Sequence, residues 1–213
     1  HPRYFDHVIA PAHDHLSGSN VINTLGSLNA VSESWLQEGL HRCPEFAAMP
    51  RPCVAVVLGG PTRNCPWTLG WAEAQLKGIA AGAKVSAASA LLVMTRRTPP
   101  GVPAIARRAW AGLSHRLCTW PAPAEKYAAA LCVADRLLVS ADSVNLVSEA
   151  CASGRPVHVL GGRFARGRLA DFHRRLRAGG YALSDLDAGP GSTLVLRETA
   201  GVAARLLDSG LLG

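Results

Sequence analysis

From residue 53 onward the chain repeats one pattern: a short uninterrupted apolar run, a polar loop, then a longer stretch with helical spacing. Strands are predicted at about 53–59, 90–95, 115–119, 135–140 and 156–160, and helices near 67–83, 101–112, 123–133, 143–153 and 164–178. Runs such as VAVVL, ALLVM and RLLVS lack the alternation of a strand with one wet face, so each needs cover on both sides. Parallel strands joined by helical crossovers meet that need, which makes an α/β fold with a doubly wound parallel sheet the expectation. In such a sheet ligands bind beyond the carboxyl ends of the strands, and the loops there become the candidate sites.

Residues 1–50 do not follow the pattern. The segment CPEFAAMPRPC, with prolines 44, 50 and 52, interrupts helix and strand alike and sets a boundary near residue 50. Ahead of it, FDHVIAPAHD reads as a strand ending in a polar loop, and SESWLQEGLHR opens with a Ser cap and helical spacing. That is too little for an independent domain, and position 1 is not Met. Residues 1–50 are therefore expected to be the C-terminal part of an incomplete first Rossmann-like domain plus a linker, and residues 51–213 a second Rossmann-like domain.

Hydrophobic residues make up 48% and charged residues 17% of the 213, a balance that excludes a disordered chain. The six cysteines, at 43, 53, 65, 118, 132 and 151, form no CxxC pair and sit among apolar residues. Reduced buried thiols of a cytoplasmic protein are expected, and no metal site. The longest uncharged apolar-rich run, Val85 to Thr95, is too short to span a bilayer, and residues 1–20 lack a signal-peptide core. Charge is uneven: residues 1–50 carry two basic and five acidic side chains, residues 51–213 twenty and ten, and 19 of the 22 basic residues are Arg. Arginine forks suit phosphate or carboxylate, so the second part is expected either to meet an anionic ligand or to present a solvated basic surface.

Three loops stand at predicted strand ends. LGGPTRNCPW places Gly59 and Gly60 where backbone N–H groups can approach a phosphate, with Arg63 for charge, although it matches neither GxGxxG nor GxxxxGK[ST]; a plain turn is the alternative. VMTRRTPPG brings Arg96 and Arg97 off the next strand, and because neighbours point to opposite sides only one of them faces a ligand. In SADSVNLVSEA, Asp142 or Ser143 caps a helix whose start is an anion site, and Glu149 lies where it can accept hydrogen bonds from a ribose diol or simply face water. At the end of the first strand, PAHDHLSG offers His13 and Asp14 as a general base and its orienting partner, or as a capped loop. The histidines at 7, 41, 115, 158 and 173 form no constellation.

The stretch SADSVNLVSEACASGRPVHVL resembles the nucleotide-binding segment of GT-B glycosyltransferases. Together with PAHDHLSGSNVINTLGSLN, VLGGP and TRRTP, in that order over residues 4–180, it is similar to the mitochondrial-fission family known as "elongated mitochondria". The resemblance implies two Rossmann-type domains around a cleft, with a nucleoside-diphosphate sugar as substrate and no separate cofactor. It further implies a metal-independent glycosyltransferase or epimerase-like enzyme, with an acceptor it does not identify. By position Glu149 matches the ribose-binding acid, Ser143 the turn by the phosphates, and Gly59 and Gly60 the first glycine loop, with Arg63 and Arg96 as looser matches.

The segment GGRFARGRLADFHRRLRAGG, residues 161–180, reads as a basic amphipathic helix, either solvated or in peripheral contact with an anionic membrane. Aromatics are only 6%, so no stacking platform for nucleic acid is expected. The alternative to an enzyme is a non-catalytic, membrane-associated adaptor that keeps the fold as a scaffold.

Overall fold

The computed structural model describes residues 1–122, 124–183, 189 and 191–209. Pro123, at the expected start of a helix, and residues 210–213, at the end of the expected second domain, lie outside that set. Strands β1 (Val8–Pro11) and β2 (Val21–Thr24) pair in parallel as a small separate sheet. Strands β3 (Cys53–Leu58), β4 (Ser89–Met94), β5 (His115–Cys118), β6 (Arg136–Ser140) and β7 (Val157–Leu160) form one parallel sheet in the order β5-β4-β3-β6-β7. The winding reverses at β3, whose Ala55 stands between Leu91 of β4 and Leu137 of β6. The crevice beyond the carboxyl ends of β3 and β6 is therefore the switch point of the sheet.

Eight α-helices are described: α1 (Glu33–Arg42), α2 (Pro44–Ala47), α3 (Leu69–Val85), α4 (Val102–Ala109), α5 (Ala124–Val133), α6 (Val144–Ala152), α7 (Arg168–Ala178) and α8 (Glu198–Asp208). Caps set several starts: the hydroxyls of Ser32, Thr68 and Ser143 accept from the backbone N–H three residues on. All six residues of β4 and all four of β7 are buried, as continuous apolar runs require. Trp110 is fully buried, and its indole N–H donates to the Leu76 carbonyl at 3.0 Å, which ties the end of α4 to α3.

Residues on the N-terminal side of the boundary expected near residue 50 join this core. α1 lies against α5, and a Cβ at Gly39 would stand 2.4 Å from the Ala128 Cβ and 2.9 Å from the Ala129 nitrogen. Only glycine permits that approach. Leu36, Cys43, Phe46 and Met49 are buried in one cluster with the five-stranded sheet. At the other end of the chain, α8 returns to β2: the Glu198 carboxylate accepts from the N–H groups of Leu25 at 2.7 Å and Gly26 at 3.1 Å.

All six cysteines are free and buried. Burial pushes the thiols of Cys65 and Cys118 up to about 11 and that of Cys151 up to about 12, which makes them poor nucleophiles. Among the described residues no group of three His, Cys, Asp or Glu side chains is placed to hold a metal ion, and no helix is long and apolar enough to cross a membrane.

The basic segment departs from a free amphipathic helix. Leu169, Phe172 and Leu176 of α7 point into the core, and Asp171 takes ion pairs from Arg174 and Arg175 while Arg168 pairs with Asp14 at 3.0 Å. The apolar stripe that would enter a bilayer is already covered, and three of its arginines are neutralised.

Candidate functional site

Two chain reversals meet at the switch point. β3 runs into Gly59-Gly60 and β6 into Ala141-Asp142, and the Asp142 side chain is wholly inaccessible to solvent. Its carboxylate accepts from Ser140 Oγ at 2.6 Å, Gly60 N–H at 3.1 Å, Trp67 Nε1 at 3.4 Å and an Arg97 guanidinium nitrogen at 3.0 Å. Ser140 Oγ in turn accepts from Gly59 N–H at 2.8 Å. A Cβ on Gly59 would stand 2.2 Å from Asp142 Oδ2, and one on Gly60 2.0 Å from the Arg97 carbonyl oxygen. The glycines are needed here because the chain packs against itself at these points.

This revises one expectation. The turns converge as the sequence suggests, but the N–H groups of Gly59 and Gly60 donate to Ser140 and Asp142 rather than opening onto a phosphate. Gly60→Ala is expected to destabilise the protein by about 1–3 kcal/mol, since the clash is with backbone that cannot turn aside. Thermal unfolding of the variant checks this, and an unchanged midpoint would show that the loop yields.

The start of α6 lies directly beyond Asp142. Ser143 is its N-cap, with Oγ accepting from Leu146 N–H at 3.4 Å. Six residues on, Glu149 is half-buried and accepts from the Tyr127 hydroxyl at 2.9 Å. Burial pushes the Glu149 carboxyl above its usual range, and the Tyr127 hydrogen bond works against that shift. Tyr127 itself is pushed well above the ordinary phenol value by burial and by the neighbouring Glu149 charge, so it stays a donor. The same tyrosine lines a largely apolar cavity of about 330 Å³ with Val57, Met94, Thr95, Trp120 and Leu146, at the carboxyl ends of β3 and β4.

The remaining expected residues are scattered. Arg63 is exposed at the tip of the turn closed by Thr62 and Cys65, and makes no ion pair among the described residues. Arg96 is exposed and lines a cavity of about 290 Å³ beside Thr119 and Trp120. Its neighbour Arg97 is the one that turns inward, to Asp142. His13 is 7% exposed against the Phe172 ring, with centroids 5.5 Å apart, and its Nδ1 is buried without a partner. Burial holds its pKa below the usual histidine value. Asp14 pairs with Arg168 instead, so no hydrogen bond joins the two side chains expected to work together.

Sequence reasoning missed Trp67, Tyr127 and the anchoring role of Asp142, and of the two neighbouring arginines it carried Arg96 forward where Arg97 reaches Asp142. It also set aside His173, which is 6% exposed and donates from Nε2 to the Ala141 carbonyl at 2.8 Å. The available signal was the Asp-Ser pair at a strand end, which reads as a cap until its distant partners are known.

The family model for mitochondrial fission ELM1 matches residues 1–209. The chain belongs to the mitochondrial fission ELM1 family. Mitochondrial fission protein ELM1 of Arabidopsis thaliana is 31% identical to this ELM1-family chain over 179 residues, which is 82% of the chain and 40% of the plant protein. Among solved structures, a complex of S. aureus MnaA with UDP aligns with TM-score 0.53 and 13% identity. A putative UDP-N-acetylglucosamine 2-epimerase from Listeria monocytogenes aligns with TM-score 0.51 and 15% identity. Each alignment covers 92% of the ELM1-family chain and 47% of the other protein. At these identities the likeness shows the fold, an α/β, GT-B-like arrangement with parallel sheets. The chain spans less than half the length of each of these proteins.

Proposed function

We propose that this ELM1-family chain supplies the nucleotide-binding half of a GT-B-like nucleotide-sugar protein. The diphosphate sits at the N-terminus of α6, where backbone N–H groups and the helix dipole favour an anion, with Arg97 alongside. Glu149 receives the ribose hydroxyls, and the cavity beside Trp120 and Tyr127 takes the base. The supporting observation is the placement of Glu149: a half-buried carboxylate, six residues into the strand-end motif, oriented by a tyrosine that also borders an apolar hollow. A carboxylate on a solvated face needs no such support.

The chemistry that follows is transfer from, or epimerisation of, a nucleoside-diphosphate sugar. In transfer, and in an epimerisation that proceeds through loss and return of the diphosphate, negative charge grows on the diphosphate as the sugar bond breaks, and preformed N–H donors and a guanidinium stabilise that charge in the transition state. Desolvation holds His13 neutral, which leaves it able to accept a proton near neutral pH, although its orienting partner is Phe172 and not Asp14.

Calorimetric titration of the full chain with UDP, GDP and ADP sugars tests the assignment. Saturable binding of at least one is expected. If none binds, the nucleotide-sugar reading fails and the scaffold reading takes its place.

A further inference from the structure

A hollow of about 600 Å³ lies at the opposite end of the sheet from the switch point, where β3 and β6 begin. Val54 and Leu138 of the sheet form its floor, and α3 forms its wall through Gly78, Ile79 and Gly82. Small-molecule sites usually enclose about 300–1,000 Å³, are mostly apolar and hold a few placed polar groups. Two departures from ordinary packing mark this one. The first is in the helix. Gly78 and Gly82 lie inside α3, where no turn requires them, and a Cβ added at either would meet nothing within 4 Å, so no close approach requires them. Each weakens the helix relative to alanine. What the two glycines do, one turn apart, is keep the hollow open.

The second departure is Arg136, the first residue of β6. It stands opposite Val54 in the register and two residues before Leu138, which puts it on the same face of the sheet as those apolar side chains. The position is half-buried, and the guanidinium makes no hydrogen bond or ion pair among the described residues. Asp135, the other charged residue at the rim, is already satisfied: Arg51 pairs with one carboxylate oxygen, and the Cys53 N–H donates to the other at 2.6 Å. The hollow therefore presents an apolar floor and one uncommitted positive charge. Its complement is a ligand with an apolar body and a single anionic head. A nucleoside diphosphate, with several charges and a polar sugar, does not match it.

We propose that this hollow binds a single-chain fatty carboxylate. The alkyl chain lies over Val54 and Leu138, against the α3 surface that Gly78 and Gly82 leave bare, and Arg136 forks the carboxylate. The site is at the other end of the strands from the proposed nucleotide crevice and stands or falls without it.

Calorimetric titration of the full chain at about pH 7.5 with decanoate, kept below its micellar range, and with decanol provides the test. Decanoate is expected to bind roughly tenfold or more tightly than decanol, because only the carboxylate engages Arg136. Each methylene added between octanoate and decanoate should tighten binding about two- to fourfold as more of the chain leaves water. Arg136→Gln is expected to remove the preference for the carboxylate and leave decanol binding unchanged. Gly82→Leu is expected to weaken decanoate by about tenfold or more by filling the hollow, and at the same time to raise the thermal midpoint, since leucine favours the helix and its Cβ has room. Weaker binding by a more stable protein separates a filled site from a damaged fold. No decanoate binding, equal affinity for acid and alcohol, or affinity indifferent to either substitution overturns the proposal. So does a concentration-dependent dimer that Gly82→Leu abolishes and decanoate leaves intact, an outcome that assigns the hollow to a second copy of the chain.

Discussion

Asp142→Ala is expected to destabilise the protein by about 3–5 kcal/mol, the largest effect of any single substitution at the switch point. The carboxylate is completely buried and takes hydrogen bonds from Ser140, Gly60, Trp67 and Arg97. Removing it leaves a backbone N–H, an indole N–H and a hydroxyl without acceptors in a place water does not reach. Arg97 loses less, because its side chain is 44% exposed and can turn to solvent. Asp142→Asn should be milder, since the amide keeps one acceptor oxygen and nearly the same shape, but it adds two N–H groups opposite donors. Urea unfolding of the three proteins, with the slope checked for constancy, measures both changes. A loss below about 1 kcal/mol for the alanine variant would mean that the two turns hold together without this anchor.

The fold was legible because its signals are local. The central strands β3, β4 and β6 are largely continuous apolar runs, and α1, α3 and α6 carry their own Ser or Thr caps. The strand-end loops were legible for the same reason, since Gly59-Gly60 and Asp142-Ser143 sit directly after apolar runs. What those residues do was not. Gly60 and Asp142 are 82 residues apart in the chain, and nothing in either loop states that the second supplies the acceptor for the first. The choice between Arg96 and Arg97 turns on a single step of backbone rotation at the end of β4, which no periodicity fixes. Likewise, Leu169, Phe172 and Leu176 give α7 an apolar stripe that reads the same whether it meets lipid or the sheet; only packing decides. Gly39 is similar: in sequence it weakens a helix, and in the fold it brings residues 33–42 of the N-terminal segment onto α5.

Glu149→Gln is expected to separate stability from ligand binding in opposite directions. The folded state holds this carboxyl above its ordinary value of 4.5, chiefly through burial, so ionising it costs the fold more than it costs the unfolded chain. Between 4.5 and the raised value the unfolded chain binds fewer protons, and stability falls as pH rises. The favourable contribution is whole below the ordinary value and gone above the raised one. Glutamine keeps the shape and an oxygen for the Tyr127 hydroxyl without the charge, so the variant should match the native protein near pH 4 and exceed it in melting temperature near pH 7. Nucleotide-sugar affinity should move the other way and fall roughly ten- to hundredfold, because a charged acceptor for the ribose hydroxyls becomes a neutral one with half its accepting capacity. A protein that keeps a destabilising charge in a half-buried position is explained if that charge meets a ligand. Higher stability with unchanged affinity would leave Glu149 as an uncompensated cost and remove the ribose from the proposed site.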